Sequence, residues 1–171
     1  MPKPTYNDCY LGLDPGETGG LAVLSEDGEP VFVKKMPETA RDLFSMMLSI
    51  TSCWSIKATV LERINPRPTR YFDKRSNVWV STILRSTCII YGDFLQLHMA
   101  AIAVGIEPFI VGPHEWQKFL GIPKREKKEP GQKFKARLKN HAVKLFPNQK
   151  ITLATADSLL IAEYCRRFKW E

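Results

Sequence analysis

Apolar residues fall in short runs early in the chain and in longer helical stripes after it. Tyr10–Asp14 is a short apolar run stopped by Pro15-Gly16, and Gly19–Leu24 is a second, ended by the turn Ser25-Glu26-Asp27-Gly28. Pro30–Lys35 is a third, with Val31 and Val33 alternating with Phe32 and Lys34. Three runs at this spacing with tight turns predict an antiparallel meander. Pro37 then introduces a helix over about Thr39 to Cys53, where Leu43, Met46, Met47 and Ile50 recur at helical spacing. Ala58–Arg63 predicts a fourth strand with Val60 and Leu61 inward.

Residues 64–75 carry two prolines, basic residues and the aromatic pair Tyr71-Phe72, and read as an irregular loop. From Ser76 to Val104 the pattern predicts a long helix. Its main stripe holds Val80, Ile83, Leu84, Thr87, Tyr91, Phe94, Leu95, His98 and Ile102. Val78, Trp79, Ile89, Ile90, Leu97 and Met99 lie off that stripe. A helix apolar on more than one face exceeds what one domain buries, so a homodimer through helix 76–104 is expected, with Gly92 allowing close approach. Ile106–Val111 predicts a fifth strand, Pro113–Leu120 a short helix, Gly121–Gly131 a charged loop, and Gln132–Leu145 and Ala154–Phe168 two closing helices. A meander followed by alternating helix and strand predicts an α/β fold: a mixed five-stranded sheet with helices on its faces.

The chain has 171 residues, 44% of them hydrophobic and 25% charged. This is the size of one domain, expected to span 1–171, and it can bury about two thirds of its unfolded surface without a disulfide or metal staple. No run of about 18 apolar residues exists, so no membrane span is expected. The first residues have no apolar signal core and are not Arg/Ser-rich, so a cytoplasmic location is expected. Cys9, Cys53, Cys88 and Cys165 form no CxxC pair and read as reduced, mostly buried thiols.

Charge changes the picture more. The net charge is +7. Residues 118–144 hold ten basic side chains against Glu126 and Glu129, which is +8, so the remaining 144 residues sum to −1. Such asymmetry points to a polyanionic partner. Lys118, Lys124, Arg125, Lys133, Lys135, Arg137 and Lys139 are the candidate backbone contacts.

Three carboxylates stand at the ends of elements. Asp14 ends the first strand, Glu62 ends the fourth, and Asp157 lies in the first turn of the last helix. If the first and fourth strands are adjacent, Asp14 and Glu62 are neighbours at one edge, and the helix can bring Asp157 to the same point. Converging carboxylates repel one another and call for a divalent cation; hard oxygen donors suit one or two Mg²⁺ or Mn²⁺ ions. Such ions activate water and stabilise the leaving oxygen in phosphodiester cleavage.

The stretch Leu11-Gly12-Leu13-Asp14-Pro15-Gly16-Glu17-Thr18-Gly19-Gly20-Leu21-Ala22-Val23-Leu24 resembles the opening motif of RuvC-like Holliday junction resolvases, within the RNase H-like superfamily. Val60-Leu61-Glu62 resembles their second motif, and Ala156-Asp157-Ser158-Leu159-Leu160-Ile161-Ala162 their closing helix. Val111–Gly121 is similar to the segment before the basic helix in phage, bacterial and chloroplast-type resolvases. The resemblance runs in order over nearly the whole chain. It implies an RNase H-like fold and a metal-dependent endonuclease that nicks opposing strands of four-way junction DNA as a homodimer, with Asp14, Glu62 and Asp157 as metal ligands. A related element occurs in sugar kinases and actin-like ATPases, but their second lobe has no counterpart here.

One departure concerns the fourth ligand. Many such resolvases carry an acid or histidine just before the last aspartate, whereas Lys150–Ala156 has neither. Glu17 and Glu163 are the candidate substitutes. The loop after Glu62 supplies Arg63, Arg67, Arg70, Lys74 and Arg75 for phosphates, and Tyr71 and Phe72 for stacking on unpaired bases. In similar resolvases an aromatic in a comparable loop wedges into the junction centre. Two alternatives remain open: an RNase H-like nuclease acting on RNA or other branched DNA, and a junction-binding protein with weakened catalysis.

Overall fold

The computed structural model describes residues 8–66, 68–82 and 85–170. β1 (Cys9–Asp14), β2 (Gly20–Leu24) and β3 (Pro30–Lys35) form the expected meander. In it β1 runs against β2 from Tyr10↔Leu24 to Asp14↔Gly20. The helix α1 (Ala40–Cys53) follows, capped by Thr39, whose Oγ1 accepts from the Asp42 N–H at 3.1 Å. It carries the chain over to β4 (Ile56–Glu62), which lies parallel to β1.

The next segment departs from expectation. Residues 69–82 form an antiparallel hairpin, β5 (Thr69–Asp73) and β6 (Val78–Thr82), paired from Thr69↔Thr82 to Asp73↔Val78. Residues 64–75 are therefore not wholly irregular, and the helix expected from Ser76 begins only at Arg85. Val78-Trp79-Val80 is a short continuous apolar run, which periodicity alone assigns to neither helix nor strand. The decision is made by β-branched and aromatic residues on both arms and by the turn between them. There the Asp73 carboxylate accepts from the Arg75 N–H at 3.0 Å and the Ser76 hydroxyl at 2.5 Å. Asn77 takes a left-handed φ of 55°, which asparagine tolerates.

α2 (Arg85–Ala103) leads to β7 (Phe109–Val111), parallel to β4. The sheet order is β3-β2-β1-β4-β7, with the hairpin as a separate two-stranded sheet. α3 (Pro113–Phe119), α4 (Gly131–Leu145) and α5 (Leu153–Arg167) complete the chain.

Both faces of the large sheet are covered. Cys9, Leu11, Leu13, Leu21 and Val23 meet Leu43, Met47 and Ile50 of α1 and Phe94, Leu97 and Ala101 of α2. Tyr10, Ala22, Leu24 and Val60 meet Leu159, Leu160 and Ala162 of α5, with Trp116, Leu138 and Ala142 behind. Each fully buried leucine contributes about 1.5–3 kcal/mol through removal from water.

α5 lies close on the sheet because Gly12 has no side chain. A Cβ there would overlap the backbone of Ser158 and Ala162. Between Thr155 and Cys165 every residue of α5 except Asp157 is buried.

The inward face of α2 also differs from the expected stripe. Leu97 is buried, whereas Leu95, Ile102, Ile89 and Met99 are exposed, Met99 at 61%. A stripe phased from Ser76 counts strand residues as helix turns; the actual phase is set by Phe94, Leu97 and Ala101 docking on the sheet. Of the cysteines, Cys9 and Cys165 are buried, but Cys53 and Cys88 are exposed. Among the described residues no helix is long and apolar enough to cross a membrane.

Candidate active site

Sheet register brings the first two acids together. Leu13 pairs with Leu61 across the parallel β1–β4 ladder, so Asp14 and Glu62 leave the same edge one residue later. After Asp14 the chain turns sharply. Gly16 has a φ of 107°, its carbonyl accepts from the Gly19 N–H at 2.9 Å, and a Cβ on Gly19 would overlap the Asp14 carbonyl. Glycines are required at both positions.

Asp157 arrives from above. Thr152 caps α5, with the Thr155 hydroxyl accepting from the Thr152 N–H at 3.0 Å. The helix thereby starts at Leu153, one residue before its expected start, and Asp157 opens the second turn rather than sitting in the first. It gains little from the helix N-terminus, an effect that fades within a turn.

The three carboxylates share one electrostatic field. Burial, then the charges of Glu62 and Asp157, hold Asp14 well above the usual carboxylate range. Burial and then the Asp157 charge push Glu62 to about 7, against a lowering by the Trp116 hydrogen bond and Lys135. Burial pushes Asp157 to about 6, again against Lys135. The Trp116 Nε1–H donates to Glu62 Oε2 at 2.9 Å.

This donor set fits a hard divalent cation: three half-buried, mutually repelling carboxylates at one end of the sheet. Among the described residues, no three His, Cys, Asp or Glu side chains are gathered tightly enough as they stand to hold a metal ion.

Neither candidate for a fourth acid joins the three. Glu163 is buried and held by two arginines: Arg166 donates from Nε and Nη2 at 2.9 and 3.0 Å, and Arg167 from Nε at 2.6 Å. Glu17 is exposed and borders a separate 370 Å³ cavity with Asp93, whose carboxyl is raised by burial and by Glu17.

Lys135, expected only as a phosphate contact, stands closer to the acids than foreseen. It lowers all three carboxyl pKa values, and its Nζ is 3.5 Å from Thr18 Oγ1 in the turn after Asp14. Lys118, Lys124, Arg125 and Lys133 are exposed and Lys139 is half-buried. Arg125 donates from Nε to the Glu129 carbonyl at 2.9 Å.

Arg137 is otherwise engaged. It donates to the carbonyls of Pro123 (2.8 Å) and Lys124 (3.2 Å) and to Glu129 Oε2 (2.9 Å), and packs over Phe134. It holds the Glu129 carboxyl below the ordinary range and staples the loop to α4.

Arg70, Tyr71 and Phe72 are exposed on β5, and Lys74 and Arg75 in its turn. Arg67 lies outside the described residues. Trp79 does not lie on the helix expected for it. It is in fact the partner of Phe72, with ring centroids 5.5 Å apart and 71% of the residue exposed.

Beside Glu62 a cleft of 640 Å³ is lined by Arg63, Asn65, Thr87, Ile90, His114 and Glu115, among others. His114, Trp116 and Asn65 were not singled out as site residues. The signal available for Trp116 is a large aromatic set between the polar pairs His114-Glu115 and Gln117-Lys118.

No protein-family model matches the chain, and no curated protein matches it. Solved structures do. RuvC of Thermus thermophilus in complex with a Holliday junction substrate is 15% identical over 92% of each chain, with a TM-score of 0.56. A structure of Thermus thermophilus RuvC is 18% identical, covering 91% of this chain and 92% of that one, also with a TM-score of 0.56. The chain therefore has a RuvC-like fold, the mixed sheet flanked by helices expected from the sequence.

Proposed function

We propose that the protein is a metal-dependent endonuclease that resolves four-way DNA junctions by paired nicks, acting as a homodimer. The observation that carries this reading is the shared field of Asp14, Glu62 and Asp157 at one end of the sheet, reached by Lys135 from the +8 segment. The similarity to a RuvC bound to a Holliday junction supports the choice of substrate.

Asp14, Glu62 and Asp157 would hold Mg²⁺ or Mn²⁺, which supplies activation of water and stabilisation of the leaving oxygen. The chain's own groups do the rest. Lys135 offsets the negative charge of the acids, so that a phosphate can approach. Lys118, Lys124, Arg125, Lys133 and Lys139 track the backbone, while Arg137 keeps the loop of Lys124 and Arg125 in place. Arg70, Lys74 and Arg75 bring phosphates to the hairpin, where Tyr71, Phe72 and Trp79 stack on bases unpaired at the junction centre. The exposed apolar residues of α2, Ile89, Leu95, Met99 and Ile102, offer a face for a second copy.

A second reading, a junction-binding protein with weakened catalysis, is favoured by the commitment of Glu163 to two arginines, which leaves three acids. Labelled four-way junction, linear duplex and RNA–DNA hybrid, each with Mg²⁺ or EDTA, separate the readings. The nuclease reading expects Mg²⁺-dependent, symmetric nicks on the junction alone. Binding without cleavage in Mg²⁺ or Mn²⁺ supports the second reading, and cleavage of the hybrid in preference to the junction contradicts both.

A further inference from the structure

Trp116 is fully buried, and its Nε1–H donates to Glu62 Oε2 at 2.9 Å. A buried indole N–H needs some acceptor, so the existence of a bond says little. The information lies in which acceptor it takes: a proposed metal ligand 54 positions away in sequence.

The donor is held firmly in place. The ring belongs to the cluster of Val60, Val111, Ile122 and Leu159. The short helix α3 is tied at its start by the Gly112 N–H on Glu115 Oε1 at 3.0 Å. At its end the Leu120 N–H bonds the Trp116 carbonyl at 3.0 Å, and the Ile122 N–H bonds the Gln117 carbonyl at 2.8 Å. Glu62 is fixed from the other side by its register with Val111, two residues before Pro113 opens α3.

An indole N–H donates only; it neither accepts nor titrates in the working range of a nuclease. It therefore engages Oε2 without competing for a cation, and leaves Oε1 uncommitted to it. Resting on the reading of the three acids as cation ligands, we propose that Trp116 is a positioning residue for the reaction. Its Nε1–H holds the Glu62 carboxylate by one oxygen so that the other is presented to the metal. Outer hydrogen-bond partners of metal ligands typically change metal affinity or activity by about 10–100-fold when removed.

Trp116→Phe keeps an aromatic ring in the core and removes the N–H. Mn²⁺ affinity of the full chain is read without reference to activity, from the free-Mn²⁺ signal in electron paramagnetic resonance. The expected result is Mn²⁺ affinity weakened by about tenfold or more. The Mn²⁺ concentration for half-maximal junction cleavage should rise in step, with junction affinity in EDTA unchanged. Unaltered Mn²⁺ affinity in a folded Trp116→Phe chain, even one with a lowered Tm, overturns the proposal while leaving the nuclease reading intact. A wild-type chain that binds no Mn²⁺ overturns both.

If the variant does not fold, the indole N–H resonances of the ¹⁵N-labelled wild-type chain carry the test. The chain has four tryptophans. The indole signal displaced by Glu62→Gln should also move when Mg²⁺ is added to the wild type, and a signal that stays put overturns the proposal.

Discussion

The Lys135 ammonium of α4 lies 3.5 Å from the Thr18 hydroxyl, in the turn that follows Asp14. This contact joins the basic segment to the first carboxylate across 117 residues of sequence. It gives Lys135 a role distinct from that of Lys133, which is likewise exposed but lowers none of the three acids.

Lys135→Ala should therefore cut cleavage more than binding, whereas Lys133→Ala should weaken binding to junction and duplex alike. The pH dependence separates them further. Lys135 lowers the pKa of Asp14, Glu62 and Asp157, so its removal raises all three. The acidic limb of the cleavage–pH profile should move to higher pH in Lys135→Ala and stay in place in Lys133→Ala. Identical profiles in the two variants would remove Lys135 from the site.

Stability without metal should respond to pH in a defined direction. A carboxyl whose pKa rises on folding binds its proton more tightly in the folded chain. The stability it contributes is present below the unfolded pKa, roughly 4, and is lost as pH climbs through the folded value. For Glu62 that window ends at about 7, and for Asp157 at about 6. In EDTA, the Tm of Glu62→Gln relative to wild type should rise between pH 5 and pH 7.5, by roughly 5 °C, and Mg²⁺ should stabilise only the wild type. A difference that is flat or falls with pH would show that Glu62 is not desolvated beside another acid.

The hairpin carries the stacking prediction. Phe72 and Trp79 meet edge to face at 5.5 Å, and both are exposed. Each base stacked on an aromatic contributes about 1–3 kcal/mol. Phe72→Ala with Trp79→Ala should reduce the preference for junction over duplex by tenfold or more. The slope of log affinity against log salt should be unchanged, since no phosphate contact is lost. A changed slope with the preference intact would place the hairpin on the backbone instead.

Assembly is tested on α2. Met99→Asp with Ile102→Asp puts charge on residues that are 61% and 40% exposed, so the fold should survive. Light scattering should show a dimer for wild type and a monomer for the variant, which should still bind junction but lose coordinated nicking. A wild-type monomer with junction bound contradicts the dimer.

The sheet and its closing helices were legible because their signals are local: period-two runs with glycine turns, and capped helical stripes. The positions of Asp14 and Glu62 followed from strand ends alone. The hairpin was not legible, because the continuous apolar run Val78-Trp79-Val80 has neither period and the deciding information is the side-chain bonding of Asp73 and the left-handed Asn77. Two further relations depend on tertiary structure. Arg137 reads as one more cation until its carbonyl partners at Pro123 and Lys124 are known. The bond from Trp116 to Glu62 depends on β7 lying beside β4, which no local pattern states.

Asp14, Glu62 and Asp157 are proposed to form one metal-dependent site on a junction-binding surface. Its most direct measurement is binding and cleavage of the same labelled four-way junction by wild type and Asp14→Asn, in Mg²⁺ and in EDTA. Wild type should nick only with Mg²⁺, and Asp14→Asn should not nick, at undiminished junction affinity. Asp14→Asn that cleaves like wild type, or wild-type cleavage that persists in EDTA, would contradict this proposal.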